Sequence, residues 1–524
     1  MTERPTPTDD EIVTAGLEAS VPQAATGDVV DDDYQEKIIT GTIPTVDAAE
    51  SRRNMVVIAL MLVATFVVFL NETIVGVALP RLMEDLRIEA STAQWLTTAF
   101  LLTMAVVIPI TGFLMQRLTT RTVFALAMSL FSAGTAIAAV APGFELLLAG
   151  RITQAAGTAI MMPLLMTTVM TLVPPHSRGR VMGNISIVMS VAPALGPAVG
   201  GVIVDTLDWR WIFILVLPIA IGALLLGVMR IQNVGETRKV PLDALSVVLS
   251  ALAFGGLVYG LSALGEAARG HTLIAPWIPI AVGAVSLTLF VLRQLHLQKS
   301  DRALLDLRVF NHFGYTIAVV LMAILMATLF GVIILLPIYV QQVLGLSAII
   351  SGLITVPGSL LMGFLGPVVG RLYDRVGPRP LLIPAAIVVS LSMWSLTMLT
   401  ENTPWFFVLG AHVLLSAGLA FMFTPLFTSG LGSIPPKFYS FGSAIIGTNQ
   451  QLAGAAGTAM FIALYTTGLI SQQNAGASEA HAMATGIHWA FLAGAILSLF
   501  AIVAAFFVPK PDPELAGAGM PAGH

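Results

Sequence analysis

Cysteine is absent from this 524-residue chain, and charge is scarce: only 10% of residues are Asp, Glu, Lys or Arg. Without cysteine there is no disulfide and no thiolate metal site. A soluble domain of this size would carry about 25% charged residues. No Gly-Lys dipeptide occurs, so there is no Walker phosphate loop, and no His-Glu pair opens a zinc-protease helix. No soluble stretch is long enough to hold a nucleotide. These absences argue against an ATP-driven pump or a membrane enzyme. No cofactor, metal or nucleic-acid partner is expected.

Long apolar runs take up most of the chain, which is 56% hydrophobic. Fourteen of them fill residues 54 to 508. Each approaches the ~20 residues that cross ~30 Å of hydrocarbon. They lack period-2 alternation, and only helices or closed barrels satisfy their backbone in a bilayer, so an all-α membrane protein is predicted. The predicted spans are 54–79, 93–116, 121–141, 144–173, 179–204, 209–229, 242–264, 274–294, 315–341, 348–370, 380–399, 404–430, 441–467 and 485–508.

An even number of spans puts both ends on one side. Alternate loops and the two tails then hold 20 of the 25 Lys and Arg, against Arg81, Arg87, Arg210 and Arg269 on the opposite face. The positive-inside rule makes that richer side, and both termini, cytoplasmic. Residues 1–53 read as an acidic, self-repelling disordered tail with Asp31-Asp32-Asp33 at its centre, and 509–524 as a second cytoplasmic tail.

The first span is the unusual one, because Asn71 and Glu72 lie well inside it. A charge there costs on the order of 2.5–3.5 kcal/mol on insertion scales, and such residues usually serve function. Glu72 is the only acid placed deep in any span. Arg151, in the fourth span, keeps its proton and must find acceptors; Glu72 is its candidate partner. A carboxyl whose contact with a guanidinium changes between two states of a protein can bind and release a proton. A static ion pair joining two helices is the alternative. The amides Asn449, Gln450 and Gln451 make the thirteenth span polar, either to bond a substrate or to bind neighbouring helices. Asp243 and His488 are the next titratable candidates. Trp209-Arg210-Trp211 reads as an aromatic anchor at the outer interface.

Two loops repeat one pattern. Gly112-Phe-Leu-Met-Gln116-Arg117-Leu-Thr119-Thr-Arg121 follows the second span, and Gly370-Arg-Leu-Tyr-Asp374-Arg375-Val-Gly377-Pro-Arg379 follows the tenth. The second copy resembles the loop signature of the major facilitator superfamily; the first departs from it at Gln116 and Thr119. The fifth span carries Pro193-Ala-Leu-Gly196-Pro197-Ala-Val-Gly200-Gly201, similar to the superfamily's antiporter signature. Prolines there remove backbone bonds and glycines admit a neighbouring helix. Arg151-Ile-Thr-Gln154-Ala-Ala-Gly157 resembles a further family motif, which adds Gln154 to the candidates for the cavity.

The whole pattern resembles the fourteen-span drug:proton antiporter-2 group, and within it the lincomycin-resistance-type branch. Leu70-Asn71-Glu72-Thr73-Ile74-Val75 carries that branch's form of the first span, with the acid one residue later than the group's aspartate. A step of one residue turns a helical side chain by ~100°. The resemblance implies a six-helix bundle at 54–229, two extra helices at 230–308 and a second bundle at 309–508. It implies a proton-coupled exporter of amphipathic or lipophilic compounds in a bacterial cytoplasmic membrane, driven by the proton gradient, with a monomer as the family's default. Glu72, Asn71 and Arg151 would couple protons, the two Gly/Arg loops would gate, and Pro193 to Gly201 would seal one face. Export of an endogenous lipid, peptide or metabolite, or facilitated import without protons, are the other readings.

Overall fold

The computed structural model describes residues 48–233, 237, 241–267 and 274–511. The acidic stretch before residue 48, the end of the chain after 511, Lys239 and Arg269 lie outside the described residues. Of the separate unit Met1–Arg53, only 48–53 are described, and they are helical. The rest of the account concerns Asn54–His524.

Among the described residues no strand occurs, and fourteen helices are long and apolar enough to cross a membrane. They run Arg52–Leu86, Thr92–Arg117, Thr120–Ala139, Phe144–Leu172, Pro175–Thr206, Arg210–Arg230, Ala244–Leu264, Trp277–Ser300, Phe313–Val343, Ile349–Val376, Arg379–Leu396, Trp405–Gly432, Pro436–Asn474 and Glu479–Ala505. The expected number of spans is therefore found, but several are longer than expected. The first and thirteenth extend by more than a turn, because helical hydrogen bonding continues past the point where the sequence stops being apolar. The seventh is interrupted by a π-helical segment at Ala251–Gly255, and the ninth ends in another at Tyr339–Val343.

Apolar side chains also cover the outside, as hydrocarbon solvent requires. Leu225, Leu226 and Met229 of the sixth span, and Val285, Leu289 and Leu292 of the eighth, are all exposed. The seventh and eighth spans form a hairpin on the flank. Gly256, Gly260 and Gly283 bring their backbones together, since a Cβ on Gly283 would lie 2.7 Å from the Leu257 nitrogen. This hairpin rests on the second and thirteenth spans; Trp95 stacks on Tyr259 with centroids 5.9 Å apart.

The loop repeat has a counterpart in space. Gly112 faces the Ser440 carbonyl, and Gly370 faces the Gly179 carbonyl. Gly157 packs on Ala127 and Phe131, and Gly418 packs on Ala385 and Val389. Both matched contacts thus run between corresponding helices of the first six spans and the last six.

Candidate functional site

The densest buried polar group lies among the first four spans. Glycines create it: a Cβ on Gly134 would stand 2.5 Å from the Gln154 nitrogen, and one on Gly150 would stand 2.9 Å from the Ala138 nitrogen. The third and fourth helices therefore touch backbone to backbone. That contact puts Gln154 Nε2 within 2.8 Å of Thr135 Oγ1 and 3.2 Å of Asn71 Oδ1, and it donates to both. Arg151 Nη1 donates to Gln154 Oε1 at 3.0 Å and reaches Asn71 Oδ1 at 3.5 Å. The guanidinium lies 4.2 Å over the Phe100 ring, which replaces part of its lost hydration. Arg151, Gln154 and Asn71 are all almost fully buried.

Glu72 is not part of this network. Among the described residues no ion pair joins it to Arg151, whose acceptors are amide oxygens. The expected pairing is thereby corrected: the ~100° step between neighbouring helical residues turns Asn71, not Glu72, toward the arginine. Glu72 remains within electrostatic reach of Arg151, and its Oε2 is buried without a hydrogen-bond partner. Asn71 Nδ2 and Arg151 Nε are unpartnered as well. Each of these three buried atoms carries an unmet hydrogen bond, at a cost of about 1–3 kcal/mol.

The antiporter-like helix packs on the two residues that follow Glu72. A Cβ on Gly196 would overlap Thr73 Oγ1, and one on Gly200 would lie 2.9 Å from Ile74 Cγ2. Gly201 has open space around it, and the side chains of Pro193 and Pro197 do not interrupt the helix, which runs from Arg178 to Thr206.

At the arginine-rich end the two sets of six spans are joined by hydrogen bonds. Asp374 accepts from the Gly179 and Arg180 N–H groups, both at 2.8 Å, capping the first turn of the fifth helix. Negative charge there also complements the helix dipole. Gln116, in the acid's place in the first loop, donates at 3.4–3.5 Å to Ser440 Oγ and the Lys437 carbonyl. One side of the seam is thus charged and the other neutral. Gly377 has φ +79°, a turn that glycine permits, whereas Thr119 in the first loop is extended and caps the next helix through Thr122. Arg379 donates to the Val508 carbonyl at 2.9 Å; Arg121 and Arg375 point outward. Arg117 ends the second span.

The sequence matches the Major Facilitator Superfamily profile over residues 61–458. The chain belongs to this superfamily. It is 37% identical over 472 residues to the lincomycin resistance protein LmrB of Bacillus subtilis (strain 168), covering 89% of this chain and 98% of that one. It is 39% identical over 463 residues to the LmrB of Listeria monocytogenes, covering 87% and 97%. Among solved structures, the proton:xylose symporter XylE superposes with a TM-score of 0.61 at 16% identity, over 90% of this chain and 99% of that one. The protein is therefore a multi-pass membrane transporter of small molecules with bacterial relatives, and not an enzyme.

Asn449 Nδ2 donates to the Val319 carbonyl at 3.1 Å and ties the thirteenth span to the ninth. Gln450 and Gln451 are half-buried, and Gln154 is committed to the arginine cluster. Asp243 caps the seventh span and binds Arg293 through both oxygens, at 2.6 and 2.7 Å. Those bonds from Arg293 hold its carboxyl well below the usual carboxylate range and tie the seventh span to the eighth. His488 donates from Nδ1 to the Thr397 carbonyl at 2.7 Å. Trp209 corrects another expectation: it is completely buried, under the Arg210 guanidinium at 4.2 Å, and only Trp211 faces outward. Thr135 and Phe100 were not legible as site residues, because a lone Thr or Phe in an apolar run carries no signal.

Proposed function

We propose that this chain is a proton-coupled exporter of amphipathic or lipophilic compounds, of the fourteen-span drug:proton antiporter-2 group and its lincomycin-resistance-type branch. The names of its relatives support this reading: LmrB, and the multidrug resistance protein B homolog of Mycobacterium tuberculosis (strain ATCC 25618 / H37Rv), 28% identical over 408 residues. Residues 54–229 and 309–508 are the two moving halves, 230–308 the added hairpin, and 1–53 and 509–524 cytoplasmic tails. The arginine-rich end faces the cytoplasm.

One observation carries the mechanism: the fifth helix is a continuous rod held at both of its working points. Its first turn is capped by Asp374, and its Gly196 is seated on Thr73, the neighbour of Glu72. The same helix meets the tenth tightly at Gly183 and Gly366, where a Cβ on Gly366 would lie 2.6 Å from the Gly183 oxygen. Toward the far end of these helices, Gly201 and Gly352 have nothing within 4 Å. The tight contacts at the arginine-rich end support a state closed to the cytoplasm. Releasing Asp374 frees the fifth helix to tilt, which moves the wall behind Glu72 and changes the surroundings of its carboxyl. Proton binding at Glu72 and opening at Asp374 are then linked equilibria. Asn71 and Gln154 keep Arg151 in place through the cycle, so that Glu72 is left free to titrate.

The test is proton-driven dye or lincosamide transport in inverted vesicles, comparing the native chain with Glu72→Gln. Loss of gradient-driven transport with substrate exchange retained is the expected result. Proton-driven transport at the native rate in a normally inserted variant would overturn the assignment.

A further inference from the structure

The two added spans lie against one of the two seams between the halves. They pack on the second and thirteenth helices. Trp95 of the second stacks on Tyr259, and a Cβ on Gly255 would stand 3.2 Å from Val106 Cγ2. The same two helices are the pair that Gln116 joins, by amide bonds of 3.4 and 3.5 Å to Ser440 Oγ and the Lys437 carbonyl. The other seam, between the fifth and tenth helices, has the Asp374 carboxylate and its two bonds of 2.8 Å. Long bonds between neutral groups are the weaker fastening of the two. The hairpin thus covers the seam whose loop lacks the acid. Because it touches both helices there, parting them forfeits its packing on one.

The arginine-rich end of the hairpin also holds the chain that follows it. Gln294 of the eighth span is fully buried. Its Nε2 donates to Ser246 Oγ of the seventh span at 2.8 Å, and its Oε1 accepts from the Leu304 and Leu305 N–H groups at 2.7 and 3.3 Å. One side chain therefore ties both hairpin helices to the connecting strap, residues 301–308. The strap is seated firmly, since Leu304, Leu305 and Asp306 are all buried. Asp306 accepts from the Arg308 backbone N–H at 3.0 Å and from its Nε at 2.9 Å, and Asp301 accepts from the same guanidinium. Held in this way, the guanidinium lies 5.6 Å over the Phe438 ring. Phe438 closes the turn Pro436–Phe438 that opens the thirteenth span. The residue before it, Lys437, supplies the carbonyl that Gln116 bonds.

We propose that the added hairpin fastens the neutral seam in place of the acid missing from the first loop, with Gln294 as the positioning residue that fixes its strap. The amide of Gln294 sets where the strap lies, the strap sets Arg308 against Phe438, and Phe438 sets the turn whose carbonyl Gln116 needs. Hairpin packing and strap thus act on the same two helices, one along the seam and the other at its end. This role rests on the reading that the arginine-rich end opens during transport.

The test uses the full chain in inverted vesicles, without substrate or gradient, carrying a single Ala444→Cys across this seam from Gly112. Gln294→Leu keeps the bulk of the side chain but takes the acceptor from Leu304 and Leu305. Arg308→Met removes the contact with Phe438 at the other end of the strap. Each variant should speed labelling by a membrane-impermeant maleimide about fivefold, the equivalent of one hydrogen bond of about 1 kcal/mol. A Gln294→Leu chain that unfolds at lower temperature but labels at the native rate has lost only a structural contact, and the proposal falls. If Gln294→Leu fails to insert, the rate of Arg308→Met decides by the same criterion. Faster labelling in Asp374→Asn alone keeps the gate and overturns the fastener. No labelling in any variant shows that this end stays shut, which overturns the gate reading and the fastener with it.

Discussion

Gly196 touches Thr73: the fifth helix meets the first at a point where any side chain on the glycine would overlap the threonine hydroxyl. Thr73 itself bonds back to the Leu70 carbonyl at 3.1 Å and cannot swing aside without losing that bond. Gly196→Ala should therefore push the helices apart at a cost of about 1–3 kcal/mol and cut transport sharply. Gly201→Ala, which meets open space, should be nearly neutral. Transport and thermal unfolding of the two variants, measured side by side, check the contrast. Equal behaviour would remove Gly196 from the mechanism.

The cap at the gate predicts a change in accessibility. Asp374→Asn removes the charge from two hydrogen bonds to the fifth helix, each worth about 1.5–3 kcal/mol when charge-assisted. The arginine-rich end should then open more often. The chain has no cysteine of its own, so a single Ala444→Cys, facing Gly112 across the seam, reports directly. Its labelling by a membrane-impermeant maleimide should accelerate about tenfold, as 1.4 kcal/mol implies. An unchanged rate would show that the cap does not hold the gate.

Gln154 bridges Asn71, Thr135 and Arg151. Gln154→Leu leaves a buried guanidinium short of an acceptor and should destabilise the fold by about 1–3 kcal/mol, with transport reduced. Gln450→Leu, at a half-buried position, should leave unfolding almost unchanged. If the two variants unfold alike, the arginine network is not a structural unit.

The clamp on the added hairpin carries a pH signature. The Asp243 carboxyl is held below its ordinary value by Arg293. Its contribution to stability is therefore fully present above about pH 3.9, the ordinary Asp value, and is lost only as pH falls further toward the depressed one. The gap in thermal stability between the native chain and Asp243→Asn should stay constant from about pH 8 to 5 and shrink only below about 3.9. A gap that closes between neutral pH and pH 5 would contradict the clamp.

How far the site could be read in advance varied with the residue. Glu72 and Arg151 stand out because charge is expensive in an apolar run. Their relation did not, since one residue of helical rotation decides whether a side chain meets a partner or misses it. Asp374 could be read as a loop acid near helix ends, but only the fold shows which helix it caps. Trp209 looked like an interface residue from its Arg-Trp surroundings, yet the turn after the fifth span folds it inward.

The sequence dictates the fourteen helices, because a backbone in hydrocarbon must close its own hydrogen bonds over about 20 residues. It also determined the glycines on which close helix contacts depend. The tertiary structure alone decided which atoms those contacts bring together: Asn71 with Arg151, Thr73 with Gly196 and Asp374 with Gly179. Those pairings lie between residues distant in the chain, and helix rotation and tilt set them, which no local pattern encodes.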